Sequence, residues 1–100
     1  MRKIGRYRLG INKSMYEILL TKQAVKDAKK VENSNLKERI LNLITIIKSN
    51  PFIYPPEFEF LNGFSGIIIS RRINKQHRLV YQVLEKENII KILRMWTHYE

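Results

Sequence analysis

The chain has 100 residues, which is the length of a single domain. Its 19 Lys and Arg against 9 Asp and Glu give a formal net charge of +10, which favours a nucleic acid, an acidic membrane surface or an acidic protein as partner. The absence of cysteine excludes disulfides, zinc–thiolate sites and thiol catalysis. No apolar run is long enough for a membrane span or resembles a secretory signal, so we expect a cytoplasmic protein.

Residues 1–14 differ in composition from the rest, because they hold five basic residues and no acidic one. They could form a basic arm that contacts phosphates, or an extension upstream of a natural start at Met15. We favour a disordered or dispensable extension, which leaves residues 15–100 as one domain.

Two helices are predicted after a strand over Met15–Thr21. The first runs from Lys22 to about Glu32 with Thr21 as its cap, and the second runs from about Leu36 to the break at Asn50-Pro51. Asn35 and Glu38 resemble a capping box for the second helix. The apolar positions with helical spacing are Ala24, Val25, Ala28 and Val31 in the first helix and Leu36, Ile40, Leu43, Ile44 and Ile47 in the second.

Three strands are predicted after a proline- and glycine-bearing loop over Phe52–Gly66. They span Ile67–Ile73, Arg78–Leu84 and Ile89–Trp96, and their short connections require antiparallel pairing. The element order is β-α-α-β-β-β. We therefore expect an α+β fold in which a helical hairpin packs on one face of an antiparallel-rich sheet.

Three arginines stand out in these strands. Arg71 and Arg72 must point to opposite faces of a sheet, and a hairpin could place Arg72 beside Arg78. Like charges repel across a ladder, and residues 60–84 contain no acid. The cluster is therefore either an anion-binding site or a solvated basic face.

Other candidate groups lie in the loop and near the C-terminus. Glu57 or Glu59 could act as a base, or both could be ordinary loop acids. His98, next to Tyr99, could exchange a proton near neutral pH or belong to a fraying tail. His77 is interpreted as structural or solvated. Two histidines without an acid cluster do not favour a metal site, so we expect no metal.

Residues 70–83, SRRINKQHRLVYQV, and residues 95–99, MWTHY, together resemble the Txe/YoeB toxins of the RelE/ParE superfamily. The resemblance covers about residues 15–100. It implies a RelE-like, microbial-RNase-like fold and a toxin of a type II toxin–antitoxin system. Such toxins enter the ribosomal A site and cleave mRNA without metal or cofactor, by attack of a ribose 2′-hydroxyl on the adjacent phosphorus.

The resemblance also implies roles for individual residues. Glu59 becomes the general base, with Glu57 as the alternative, and Arg78 stabilises the phosphorane. His98 becomes the general acid and Tyr99 a positioning or electrostatic group. RNA phosphates are assigned to Arg71, Arg72 and Lys75. A family lysine corresponds to Asn62 here, which is a departure from the pattern.

The implied partners are an acidic YefM/Axe-like antitoxin, the 70S ribosome and mRNA, and a homodimer is left open. Two other functions remain as alternatives. One is a non-catalytic inhibitor on the same fold, such as the gyrase-directed ParE branch. The other is a basic module that binds RNA or a membrane surface.

Overall fold

The computed structural model describes residues 15–62 and 65–96. The predictions for residues 1–14, and for His98 and Tyr99, lie outside these ranges. The elements in chain order are β1 (Glu17–Leu20), α1 (Lys22–Glu32), α2 (Lys37–Ser49), β2 (Phe58–Phe60), β3 (Ile67–Arg72), β4 (Arg78–Leu84) and β5 (Ile89–Arg94). No helix in the described ranges is long and apolar enough to cross a membrane.

The five strands form one sheet in the order β1-β5-β4-β3-β2. The β2–β3, β3–β4 and β4–β5 pairs are antiparallel, and β1 is parallel to β5. Apolar residues of both helices pack with those of the sheet in one core, so the predicted α+β class and the helical hairpin on the sheet are confirmed.

The prediction of a loop over Phe52–Gly66 was wrong in one respect, because this segment contains the short strand β2. The three residues of β2 pair with β3, and Phe58 packs against the core. A three-residue strand carries little pattern of its own and is stabilised by its partner strand. Its position matters because it brings Glu59 onto the sheet.

The cap predicted for the first helix is confirmed, since Thr21 Oγ1 accepts a hydrogen bond from the Ala24 amide at 3.1 Å. The capping box predicted for the second helix was wrong. Leu36 occupies the N-cap position and makes no side-chain capping bond. Ser34 Oγ instead accepts a hydrogen bond from the Leu36 amide at 3.1 Å, so the serine shapes the turn between the helices.

The core lies between the helices and one face of the sheet, which we call the helix-covered face. It is built from Ala24, Val31, Ile40, Leu43, Ile47, Ile69, Ile73, Leu79, Tyr81, Val83, Ile90, Ile92 and Met95. Val25 was predicted to join the apolar stripe of α1, but it is exposed. Asp27 of the same helix is fully buried instead.

A cavity lies on the opposite side of the sheet, which we call the cavity face. This face carries Ile68, Ser70 and Arg72 of β3 and Val80 of β4. Successive side chains of a strand point to opposite faces, so Arg71 belongs to the helix-covered face.

Candidate active site

A cavity of about 250 Å³ lies where β2, β3 and β4 meet. It is lined by Glu57, Phe58, Glu59, Ser70, Arg72 and Arg78. The structure therefore brings the predicted pair of arginines from the hairpin together with the two carboxylates from the loop segment.

The strand register explains why the charges converge. Arg72 lies directly opposite Arg78 across the β3–β4 ladder, as predicted, and Glu59 lies opposite Ser70 across the β2–β3 ladder. Directly opposed residues share a face of the sheet, and Ser70 and Arg72 are two residues apart in β3, so both pairs belong to the cavity face. The two arginines provide the concentrated positive charge that an anionic ligand would neutralise.

Glu59 and Arg78 form an ion pair across the cavity. Glu59 Oε2 accepts a hydrogen bond from Arg78 Nη1 at 3.5 Å. The Glu59 side chain is 61% exposed and that of Arg78 is 19% exposed. Because a long, solvent-accessible pair contributes little to stability, a ligand could separate these groups at low cost.

Glu57 lines the same cavity as Glu59, so the two carboxylates proposed for the base both lie at the site. They differ in their placement on the sheet. Both carboxylates are exposed, but Glu59 is the middle residue of β2 and pairs with Arg78, whereas Glu57 lies just before the strand. The geometry favours Glu59, because its position relative to the arginines is set by the ladder.

Arg71 does not join this site, and a phosphate-binding role does not fit its position. It is fully buried on the helix-covered face. Its guanidinium donates Nε to the Tyr81 hydroxyl at 2.9 Å, and its terminal nitrogens donate to backbone carbonyls. These carbonyls belong to Pro51, Ile53 and Pro56.

Arg71 instead fixes the segment that leads into the cavity. Its three carbonyl partners lie in residues 51–56, immediately before Glu57, and its guanidinium stacks 4.6 Å from the centroid of Phe58. Burial raises the pKa of the Tyr81 hydroxyl, and the hydrogen bond and charge of Arg71 oppose that rise. Tyr81 donates to the Pro51 carbonyl at 2.8 Å, which completes the network.

The other predicted residues are more scattered. Lys75 lies exposed in the turn between β3 and β4, and Asn62 is exposed after β2; neither lines the cavity. His77 is buried and stacks on Trp96 with 4.1 Å between ring centroids, which confirms its structural interpretation. The assignments of His98 and Tyr99 stay predictions.

Asp27 anchors the chain just ahead of those last two residues. Its Oδ2 accepts hydrogen bonds from the Met95 amide at 3.0 Å, the Trp96 amide at 3.2 Å and Arg94 Nε at 3.3 Å. Burial alone would raise the pKa of this carboxyl, but the hydrogen bonds from Met95, Gln23, Trp96 and Arg94 hold it below its usual value. The end of β5 is therefore tied to α1.

Ser70, Phe58 and Asp27 were not among the predicted site or anchor residues. Ser70 could have been found from strand alternation, because it shares a face with Arg72. Asp27 gave no such signal, since its backbone partners Met95 and Trp96 are 68 and 69 residues away in the chain.

The comparisons with known proteins agree with this architecture. Residues 20–99 match the model of the YoeB-like toxins of bacterial type II toxin–antitoxin systems. No curated protein matches the chain significantly.

Three solved structures resemble the chain along almost their whole length. A YoeB/ParE toxin from Agrobacterium tumefaciens is 28% identical, with a TM-score of 0.75 over 83% of this chain and 99% of that one. The YoeB dimer from Staphylococcus aureus is 33% identical, with a TM-score of 0.70 over 85% and 99%. The toxin in the YoeB–YefM complex from the same organism is 34% identical, with a TM-score of 0.70 over 84% of this chain and 98% of that one. Fold, motif and family model agree, and the chain belongs to the YoeB-like toxins of bacterial type II toxin–antitoxin systems.

Proposed function

We propose that this toxin is a ribosome-dependent endoribonuclease that cleaves mRNA in the A site and thereby halts translation. The observation that carries the proposal is the cavity that joins Glu59 to Arg72 and Arg78 on one face of the sheet. A carboxylate beside two guanidinium groups combines a proton acceptor with donors for a phosphate. Family membership supports the same chemistry.

In the proposed reaction the ribose 2′-hydroxyl attacks the adjacent phosphorus. Glu59 accepts the proton of that hydroxyl, the 5′-oxygen leaves with a proton from His98, and a cyclic phosphate remains on the upstream fragment. General acid–base catalysis needs an acceptor on the attacking side and a donor in line with the leaving oxygen. These protein groups supply the proton transfers, so the proposed mechanism requires no metal.

Arg78 stabilises the negative charge that develops on the nonbridging oxygens in the transition state. A guanidinium presents fixed donors to such oxygens, and Arg78 is partly buried, which strengthens its electrostatic effect. In the free protein Glu59 faces this group at 3.5 Å. Substrate binding would replace part of that contact with the phosphate.

The partner we propose is an acidic antitoxin whose disordered tail folds on binding. The net charge of +10 supports an acidic partner, and the similar S. aureus toxin forms a YoeB–YefM complex. The proposed antitoxin covers the cavity or displaces the C-terminal end of the toxin. The similar S. aureus YoeB dimer supports a homodimer as a second assembly.

Arg78→Ala and His98→Ala test the proposed reaction. Each should retain ribosome binding in a cosedimentation assay but lose cleavage of translated mRNA, measured by primer extension. Removing one preorganised donor costs roughly a hundredfold to a thousandfold in rate, which is the loss expected for Arg78→Ala. Lys26→Ala is the matched control, because this exposed lysine lies on α1 and does not line the cavity.

Wild-type cleavage rates in both variants would contradict the assignment. A His98→Ala toxin that still arrests growth, leaves mRNA intact and traps DNA breaks would instead point to a ParE-like inhibitor.

A further inference from the structure

The hydroxyl of Ser70 is buried without a hydrogen-bond partner. Ser70 lies in the middle of β3 and is 1% exposed, and among residues 15–62 and 65–96 nothing accepts from or donates to its Oγ. Burying a hydroxyl without a partner costs folding free energy, so native proteins seldom keep one without a reason. Alanine at this position would avoid the cost, so the hydroxyl does not serve the stability of the fold.

The position of Ser70 suggests the reason. Strand alternation places it on the cavity face with Arg72, and it lines the same cavity as Glu59, Arg72 and Arg78. Its cross-strand neighbours are Glu59 on one side and Val80 on the other. Ser70 therefore lies between the proposed base and an apolar residue, in a cavity that the two guanidinium-bearing residues also line.

The neighbours leave the serine proton available. Val80 has no polar side-chain atom, and Glu59 directs its Oε2 towards Arg78. The backbone groups beside Ser70 belong to β3 and to its partner strands β2 and β4, which pair with β3 on either side. A ligand atom that enters the cavity is then the natural acceptor.

We infer that Ser70 is an RNA-binding residue whose hydroxyl donates a hydrogen bond to a nonbridging oxygen of the phosphate at the cleavage site. This inference rests on the proposed function, because Glu59 and Arg78 define where that phosphate would lie. An anionic oxygen accepts from a hydroxyl and from guanidinium groups at once, so Ser70, Arg72 and Arg78 form one set of donors. The energetic cost in the free toxin is offset when RNA binds.

Ser70→Ala tests the inference through two readouts with opposite signs. The variant should be at least as resistant to urea as wild type, because it loses only an unpartnered hydroxyl. Its single-turnover cleavage of translated mRNA should fall roughly tenfold to a hundredfold, as expected for one hydrogen bond to a charged group.

Ser34→Ala is the matched control. Ser34 Oγ is partnered on both sides, since it donates to the Val31 carbonyl at 2.9 Å and accepts from the Leu36 amide at 3.1 Å. This variant should be less resistant to urea and should cleave at the wild-type rate. The two serines therefore give opposite patterns if Ser70 acts on RNA.

A binding experiment separates this inference from the proposed reaction. Fluorescence anisotropy would measure binding of two short oligonucleotides, one of RNA and one with 2′-deoxyribose at the cleavage position. Ser70→Ala should weaken binding of both to a similar degree, because both retain the phosphate. A loss of affinity for the RNA oligonucleotide alone would assign the contact to the 2′-hydroxyl and overturn the phosphate assignment.

A Ser70→Ala variant with unchanged cleavage and unchanged binding would refute the inference, whatever its stability. If wild-type toxin fails to cleave translated mRNA, the proposed function falls. A Ser70-dependent affinity for both oligonucleotides would then still support the phosphate contact.

Discussion

Arg71 and Arg72 are adjacent in β3 and chemically identical, yet they lie in opposite environments. Arg71 is fully buried on the helix-covered face, where its guanidinium meets the Tyr81 hydroxyl and three backbone carbonyls. Arg72 is exposed on the cavity face, directly opposite Arg78. One arginine stabilises the protein, whereas the other adds to the positive charge at the cavity.

The two faces differ in how they treat polar groups. On the helix-covered face the buried guanidinium of Arg71 has partners within the protein, as a buried charge requires. On the cavity face Arg72 lies beside a like charge and Ser70 keeps a buried hydroxyl unpaired. Local conflicts of this kind are expected where a protein binds a ligand, because the ligand resolves them.

Replacing each arginine by glutamine is the strongest way to test this contrast. Arg71→Gln removes a fully buried charged donor and its hydrogen bonds to the Ile53 and Pro56 carbonyls. The free energy of unfolding should therefore fall by about 3–5 kcal/mol. Arg72→Gln should change it by no more than about 0.5 kcal/mol. Urea unfolding followed by circular dichroism measures both.

Equal losses of stability in the two variants would show that the faces do not differ as described. An Arg71→Gln protein that unfolds at the wild-type urea concentration would show that the carbonyls of residues 51–56 find other partners.

The sequence predicts elements whose stabilising pattern is local. The bounds of α1 and β4 follow from helical spacing, strand alternation and nearby breaks, and the pairing of Arg72 with Arg78 follows from one short turn. The strand β2 was missed because three residues carry too little pattern. The strand β2 is stabilised by pairing with β3, and the local sequence of β2 does not predict that pairing.

The sequence predicts the composition of the site better than its geometry. Alternation requires that only one of Arg71 and Arg72 can face the cavity, but it does not say which one. The choice depends on carbonyls 15–20 residues earlier in the chain, which surround Arg71. Contacts at such separations leave no periodic signal, and the same is true of Asp27 and its partners at the end of β5.

Asp27 provides a second test, because it is another buried charged group whose partners lie within the protein. Asp27→Asn keeps the shape of the side chain but removes the charge that three donors share at Oδ2. We expect a loss of about 1.5 kcal/mol at pH 7, the difference between charged and neutral hydrogen bonds. Glu32→Gln, which removes an exposed charge paired with Lys37 in solvent, should cost less than about 0.5 kcal/mol.

The pH dependence of that loss follows from the lowered pKa of Asp27. A carboxyl that is more acidic in the folded state stabilises the fold fully above its unfolded pKa, and this contribution disappears as the pH falls through the folded pKa. The ordinary pKa of aspartate is 3.8. In urea unfolding from pH 7 to below this value, the free energy of unfolding of the wild type should approach that of Asp27→Asn. A constant difference across this range would mean that the charge of Asp27 has no effect on stability.

The smallest expected effect concerns the cavity face alone and depends on the proposed binding of RNA. Each phosphate that a basic side chain neutralises contributes about 0.7 to the slope of log affinity against log salt for a single strand. Arg72→Gln should reduce that slope by about this amount with a short noncleavable RNA, measured by anisotropy at several salt concentrations. Lys26→Gln removes the same charge from the exposed surface of α1 and should leave the slope unchanged. Equal reductions in both variants would mean that RNA responds to the total charge of the toxin, and that the arginine pair on the cavity face has no special part in binding.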